Sequence, residues 1–119
     1  MDIHNEFIAC KYDLVFYAGK PVLNRQHAYF DINGDEWDFS LAVGYTFKIW
    51  EEREGGLQMV DWSDTAGNLA LSGSHPNRII LNAQATDTAI ERGKYYYEAA
   101  YLVSGGYEVL LNYGEAKFI

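Results

Sequence analysis

The chain has 119 residues and a mass of 13.5 kDa, enough for one domain with one core. Its 49% hydrophobic and 22% charged residues match an ordinary globular domain. Nine Lys and Arg against seventeen Asp and Glu leave a net charge of −8, which argues against a surface that neutralises nucleic-acid phosphates or lies on anionic lipid.

Cys10 is the only cysteine, so an internal disulfide, a cysteine metal cluster and a CxxC redox pair are all excluded. The lack of staples favours a reducing compartment, or a β-core able to fold without them. Met1 to Glu6 contain no basic segment, and Lys11 interrupts Phe7–Ile8–Ala9–Cys10 before a leader-type hydrophobic stretch can form. Lys11 and Asp13 also disfavour a lipoprotein reading of Cys10. No run approaches the roughly 18 apolar residues of a membrane-spanning helix. The expectation is a chain without a signal peptide, with residues 1–13 as an arm or edge strand and 14–119 as a single β-sandwich domain.

Period-two alternation dominates the rest. Leu14–Val15–Phe16–Tyr17 reads as a strand, and Ala28–Tyr29–Phe30–Asp31–Ile32 runs into an Asn33–Gly34 turn, where both residues tolerate positive φ. Trp37 and Phe39 alternate with Asp38 and Ser40 as a short strand would. Tyr45, Phe47 and Ile49 share one face of the next strand, opposite Thr46, Lys48 and Trp50; the charged segment Glu51 to Gly56 turns it into Leu57–Trp62. Leu69–Leu71 and Arg78–Asn82 are further strands. Ala83 to Arg92 is the one helical candidate, with Thr86 as its N-cap. Lys94 to Val103 forms a long strand, Ser104–Gly105–Gly106 a turn, and Tyr107–Asn112 and Gly114–Ile119 two closing strands. The expected fold is therefore all-β, a sandwich of seven to nine short antiparallel strands with one short helical insertion. Its core is predicted to hold Tyr45, Phe47, Ile49, Tyr95, Tyr97 and Val103.

Catalytic and metal-binding patterns are missing. His4, His27 and His75 are far apart in sequence, without the cysteine partners of a zinc site. Asp31–Asn33–Asp35 has the opening spacing of a calcium loop, but Glu36 and Ala42 stand where that loop needs Gly and Glu, so a turn with solvated acids is expected. Ser72–Gly73–Ser74–His75 sets serines beside a histidine without a G-x-S-x-G elbow, and Gly55–Gly56 and Gly105–Gly106 are hairpin glycines, not a phosphate loop. The reading is a non-enzyme that needs no cofactor, no metal and no small-molecule ligand.

Ten Tyr, six Phe and three Trp exceed what one small core readily absorbs. Tyr95, Tyr96 and Tyr97 put rings on both faces of one strand, so one face must be covered by something or lie exposed. Tyr and Trp suit interfaces because an apolar ring carries a polar group that can be satisfied. Tyr96, Tyr107, Tyr113, Trp50 and Trp62 are the candidate interface residues. Trp62, flanked by Asp61 and Asp64, could alternatively belong to the core or form a sugar platform.

Three segments carry a resemblance. Gly19 followed by a strand, then Asp35–Glu36–Trp37–Asp38–Phe39–Ser40 and Gly44–Tyr45–Thr46–Phe47–Lys48–Ile49, resembles the G-x-P-x-D-L-T-G-Y-T opening of small phage tail and baseplate modules. Thr86 to Glu98 is similar to their T-x-x-x-x-x-x-G-x-Y-x-Y-D-L segment, and Ser104–Gly105–Gly106 with Leu111 to Ile119 to their closing hairpin. The segment from Asp38 to Gly44 is longer here than the D-L-T-G of those modules. The resemblance implies an immunoglobulin-like sandwich that anchors an upper baseplate or fibre-bearing protein to the virion, with no catalytic residues. It further implies a virion location, with other virion proteins, or the chain itself as a homo-oligomer, as partners, and neither nucleic acid nor membrane. The competing expectation is a free-standing carbohydrate- or peptide-binding module.

Overall fold

The computed structural model describes residues 9–119, which form nine strands and no helix. In chain order these are β1 (Cys10–Lys11), β2 (Leu14–Phe16), β3 (Val22–Ala28), β4 (Ala42–Trp50), β5 (Gln58–Ser63), β6 (Leu69–Leu71), β7 (Arg78–Ala83), β8 (Gly93–Val103) and β9 (Tyr107–Phe118). The reading of residues 1–13 as an arm falls partly on positions 1–8, outside the described residues.

Six strands make one sheet in the order β1-β9-β8-β4-β5, with β2 also on β9, and β3-β7-β6 make the other. Local hairpins build most of the larger sheet: β4 turns into β5 and β8 into β9, both antiparallel. Its opposite edge is assembled across the whole chain, because β1 and β2 both run parallel to β9, pairing Cys10 with Asn112 and Leu14 with Ala116. The two residues between β1 and β2 stay attached: Tyr12 N–H donates to the Tyr113 carbonyl at 2.8 Å, and Glu115 N–H donates to Asp13 Oδ1 at 2.9 Å. Gly114 permits this approach, since a Cβ there would lie 2.7 Å from both the Tyr12 carbonyl oxygen and Asp13 Oδ1.

Side-chain alternation decides which face turns inward. Tyr45, Phe47 and Ile49 of β4, Val60 and Trp62 of β5, Tyr97 and Tyr101 of β8, and Ile79, Leu81 and Ala83 of β7 meet in one core between the sheets. Aromatic rings dominate it. Phe47 stacks on Tyr97 at 5.0 Å and on Trp62 at 5.4 Å, while Phe16 stacks on Phe118 at 5.2 Å. Of the six residues predicted for the core, Tyr45, Phe47, Ile49 and Tyr97 are buried, whereas Tyr95 and Val103 pack half-buried against its rim.

The expected immunoglobulin-like sandwich of short antiparallel strands with a helical insertion is corrected on three counts. No helix forms over residues 83–92: Ala83 ends β7, and Asp87 rather than Thr86 organises the single turn that follows. Asp87 Oδ2 accepts from Gln84 N–H at 2.7 Å, and the buried Thr88 hydroxyl donates to the Lys20 carbonyl at 2.6 Å. One turn with little apolar content does not offset the cost of helix nucleation, and this segment instead bolts the loop after β2 to the sandwich. Second, the larger sheet is mixed rather than antiparallel. Third, the strands are not uniformly short, since β8 has 11 residues and β9 has 12 and runs unbroken through Gly114. Trp37 to Phe39 is loop; Phe39 enters the core from it, and the adjoining turn contributes only a Phe30–Glu36 bridge. The result is an all-β fold of two sheets with no helix among the described residues.

Candidate functional site

The face of the six-stranded sheet that looks away from the core carries Thr46, Lys48 and Trp50 from β4 and Tyr96 and Glu98 from β8, with Glu108 and Tyr113 from β9. Strand register brings these together, as Trp50 pairs with Tyr96, Lys48 with Glu98 and Glu98 with Tyr113. Three of the five predicted interface residues thus converge. The rings of Trp50 and Tyr96 lie 6.0 Å apart, tilted by 34°. Arg53, in the β4–β5 hairpin, reaches back across the sheet so that its guanidinium carbon sits 5.7 Å from the ring centroids of both Tyr96 and Tyr113. Further along, Lys48 Nζ approaches Glu108 Oε1 at 3.6 Å, and the Thr46 hydroxyl donates to the same carboxylate oxygen at 3.0 Å.

Beside the rings runs an open groove of about 450 Å³, lined by Tyr96, Tyr113 and Arg53 together with Lys11, Lys94 and Glu115 among others. The Tyr96 hydroxyl is held un-ionised above its ordinary pKa by partial burial, and the charge of the nearby Glu98 carboxylate adds to the effect. The face is therefore aromatic in its centre and mixed in charge at its rim, with no activated nucleophile and no convergent set of metal ligands among the described residues.

The other two candidates lie apart. Tyr107 is 71% exposed at the start of β9, about 20 Å from Tyr113 at roughly 3.3 Å per residue. Trp62 is only 4% exposed and stacks against Phe47, so it is a core residue and offers no sugar platform between Asp61 and Asp64. Other exposed apolar side chains cluster elsewhere: Val15, Tyr17 and Leu23 flank a trough between β2 and β3 that Arg25 closes by donating to the Val15 carbonyl at 2.9 Å. The Asp31 carboxylate is committed to its own turn, accepting from Asn33 and Asp35 N–H groups at 2.8 and 3.0 Å. Ser74 Oγ lies 3.1 Å from His75 Nδ1, but among the described residues no carboxylate orients that ring, and Ser72 Oγ is occupied in capping the same turn.

Beneath the aromatic face lies a buried polar chain that the sequence reading missed. Tyr29 hydroxyl donates to Asn112 Oδ1 at 2.9 Å, Asn112 Nδ2 donates to the Tyr97 hydroxyl at 2.8 Å, and the Tyr97 hydroxyl donates to the Tyr12 carbonyl. Burial is the main cause that pushes both tyrosines far above the ordinary phenol range. The chain ties the smaller sheet's loop, β9, β8 and the β1–β2 joint into one unit. Next to it, the cavity between the sheets measures about 20 Å³, space for one water and no larger ligand. His27 lines that cavity with Nε2 buried and unpartnered, and burial, reinforced by Arg25, lowers its pKa.

Arg53 was equally missed, because a hairpin arginine gives no sign in sequence of folding back over the sheet. Parity along β4 and β8 marks the face of Trp50 and Tyr96, and the shared parity of Val60 and Trp62 was the available sign that Trp62 turns inward. No protein-family model matches the chain, and neither a curated protein nor a solved structure is significantly similar to it.

Proposed function

We propose that this chain is a non-enzymatic structural subunit of a phage virion, in the tail, the baseplate or a fibre attachment, and that it works through protein–protein contacts. The observation that carries the reading is the outward aromatic face, where Trp50, Tyr96 and Tyr113, each half-buried, lie together with Arg53 on the side of the sheet opposite the core. Tyr, Trp and Arg are the residue types that supply most of the energy of protein interfaces. The phage setting is supported by the ordered resemblance of the three segments, and the −8 charge speaks against a role in contacting packaged DNA.

The experiment is incorporation into particles. Wild-type chain and a W50A/Y96A/Y113A variant, the latter checked for native unfolding behaviour, are expressed in an infected culture, and purified particles are analysed by mass spectrometry. Wild-type chain in the particles and loss of the variant is the expected result. Absence of the wild-type chain from particles and assembly intermediates, together with specific glycan binding by the free protein, would replace this reading with that of a carbohydrate-binding module.

A further inference from the structure

We propose that the Tyr96–Tyr113 pair is a receiving site for the guanidinium of an arginine on a partner protein, and that Arg53 holds the place of that arginine in the free chain. The inference rests on the assembly reading above and names the chemistry of the partner. Two rings from adjacent strands present their faces to one guanidinium, each 5.7 Å from its carbon, so the fold itself displays the occupant the platform accepts.

Arg53 is held loosely enough to be exchanged. It is exposed, it belongs to a hairpin turn rather than to a strand, and among the described residues no carboxylate lies within ion-pair distance of it, the only such pair there being Lys48–Glu108. The surroundings favour a cation in its stead. With Arg53 set aside, the groove holds the carboxylates of Asp13, Glu51, Glu52 and Glu115 against the ammonium groups of Lys11 and Lys94. A net charge of −8 steers cationic surfaces towards the chain from a distance. Arginine fits better than lysine, because a planar, weakly hydrated guanidinium stacks on a ring where a compact ammonium keeps its water. A partner that inserts an arginine here would displace Arg53 and release the hairpin, without rearranging the sheet beneath.

The test is a nuclear magnetic resonance titration of the full chain with N-acetyl-arginine amide and, at matched ionic strength, with its neutral citrulline counterpart. The arginine compound is expected to shift the ring signals of Tyr96 and Tyr113 and the amide signals of Lys94 and Glu115, while citrulline leaves them in place. An R53A variant should bind the arginine compound about two- to five-fold more tightly, the factor expected for freeing one exposed cation–π contact. A Y96A/Y113A variant should lose the response at Lys94 and Glu115. Equal responses to citrulline, shifts confined to another surface, or an R53A variant that binds no better would each overturn the proposal. If W50A/Y96A/Y113A fails to enter particles while the arginine compound leaves the wild-type spectrum unmoved, the face remains an interface and the arginine-receiving role is overturned.

Discussion

Removing one oxygen from the middle of the core should test whether the buried polar chain organises this fold. Tyr97 is fully buried, and its hydroxyl both accepts from Asn112 Nδ2 at 2.8 Å and donates to the Tyr12 carbonyl. In Y97F the Asn112 amide, itself only 6% exposed, loses its acceptor. An orphaned buried donor costs about 1–3 kcal/mol, and the lost bond to the Tyr12 carbonyl adds about 0.5–1.5 kcal/mol. The expected loss is about 2–4 kcal/mol, a large part of the roughly 5–15 kcal/mol that stabilises an ordinary domain. Urea unfolding followed by tryptophan fluorescence should show the midpoint falling by about 1–2 M with an unchanged slope. The triple variant Y29F/Y97F/N112L removes the Tyr29, Asn112 and Tyr97 polar groups together and should recover part of the loss, since apolar replacement of all partners is far less costly than stranding one. A Y97F midpoint equal to the parent's, or a triple variant in which the separate losses simply add, would refute the reasoning.

Three further outcomes follow from the same geometry. F47A deletes a ring stacked on both Tyr97 and Trp62 at 4% exposure, and should lower the unfolding free energy by about 3–5 kcal/mol in denaturant titration. G114A forces a Cβ to 2.7 Å from the Tyr12 carbonyl oxygen and Asp13 Oδ1, at a φ of 154°, and should destabilise by about 1–3 kcal/mol, with amide exchange speeding first at Tyr12 and Glu115. Tyr29 and Tyr97 have folded pKa values raised by burial, so their contribution to stability is complete below the unfolded tyrosine value of about 10 and is lost as pH climbs towards the folded values. Each should therefore remove up to about 1.4 kcal/mol per pH unit above pH 10, a slope that Y29F should visibly reduce in urea titrations across that range.

What could be read from sequence was what depends on neighbouring residues. The β4–β5 and β8–β9 hairpins are announced by Glu51–Gly56 and Ser104–Gly106 between alternating runs, and their pairing needs no distant information. The parallel edge was not legible, because Cys10 finds Asn112 across nearly the whole chain and no turn signals such a pairing. The false helix at 83–92 came from giving Thr86 the cap. In the structure there is no helix to cap: Asp87 reaches back to accept from Gln84 N–H, while Thr88 spends its hydroxyl on the Lys20 carbonyl of another loop. Gly114 looked like a break between two strands and is instead the point where one long strand lets the Tyr12–Asp13 link pass close by. At the candidate site, alternation placed Trp50 and Tyr96 on one face, whereas the contact of Arg53 with Tyr96 and Tyr113 depends on how the hairpin folds over the sheet. Asn112 reads as one polar residue in a closing strand, and only the approach of Tyr29 from the other sheet reveals its task.

The central claim is that the outer aromatic face of the six-stranded sheet meets another protein. Its most direct test replaces Tyr113, and separately the exposed turn residue Asn33, with the photo-crosslinking amino acid benzoylphenylalanine in chains expressed during phage production. Irradiation of assembled particles should convert the Tyr113 derivative, and not the Asn33 derivative, into a discrete higher-mass adduct that contains a virion protein. No adduct at position 113, with the Asn33 derivative crosslinked as strongly or more so, would contradict it.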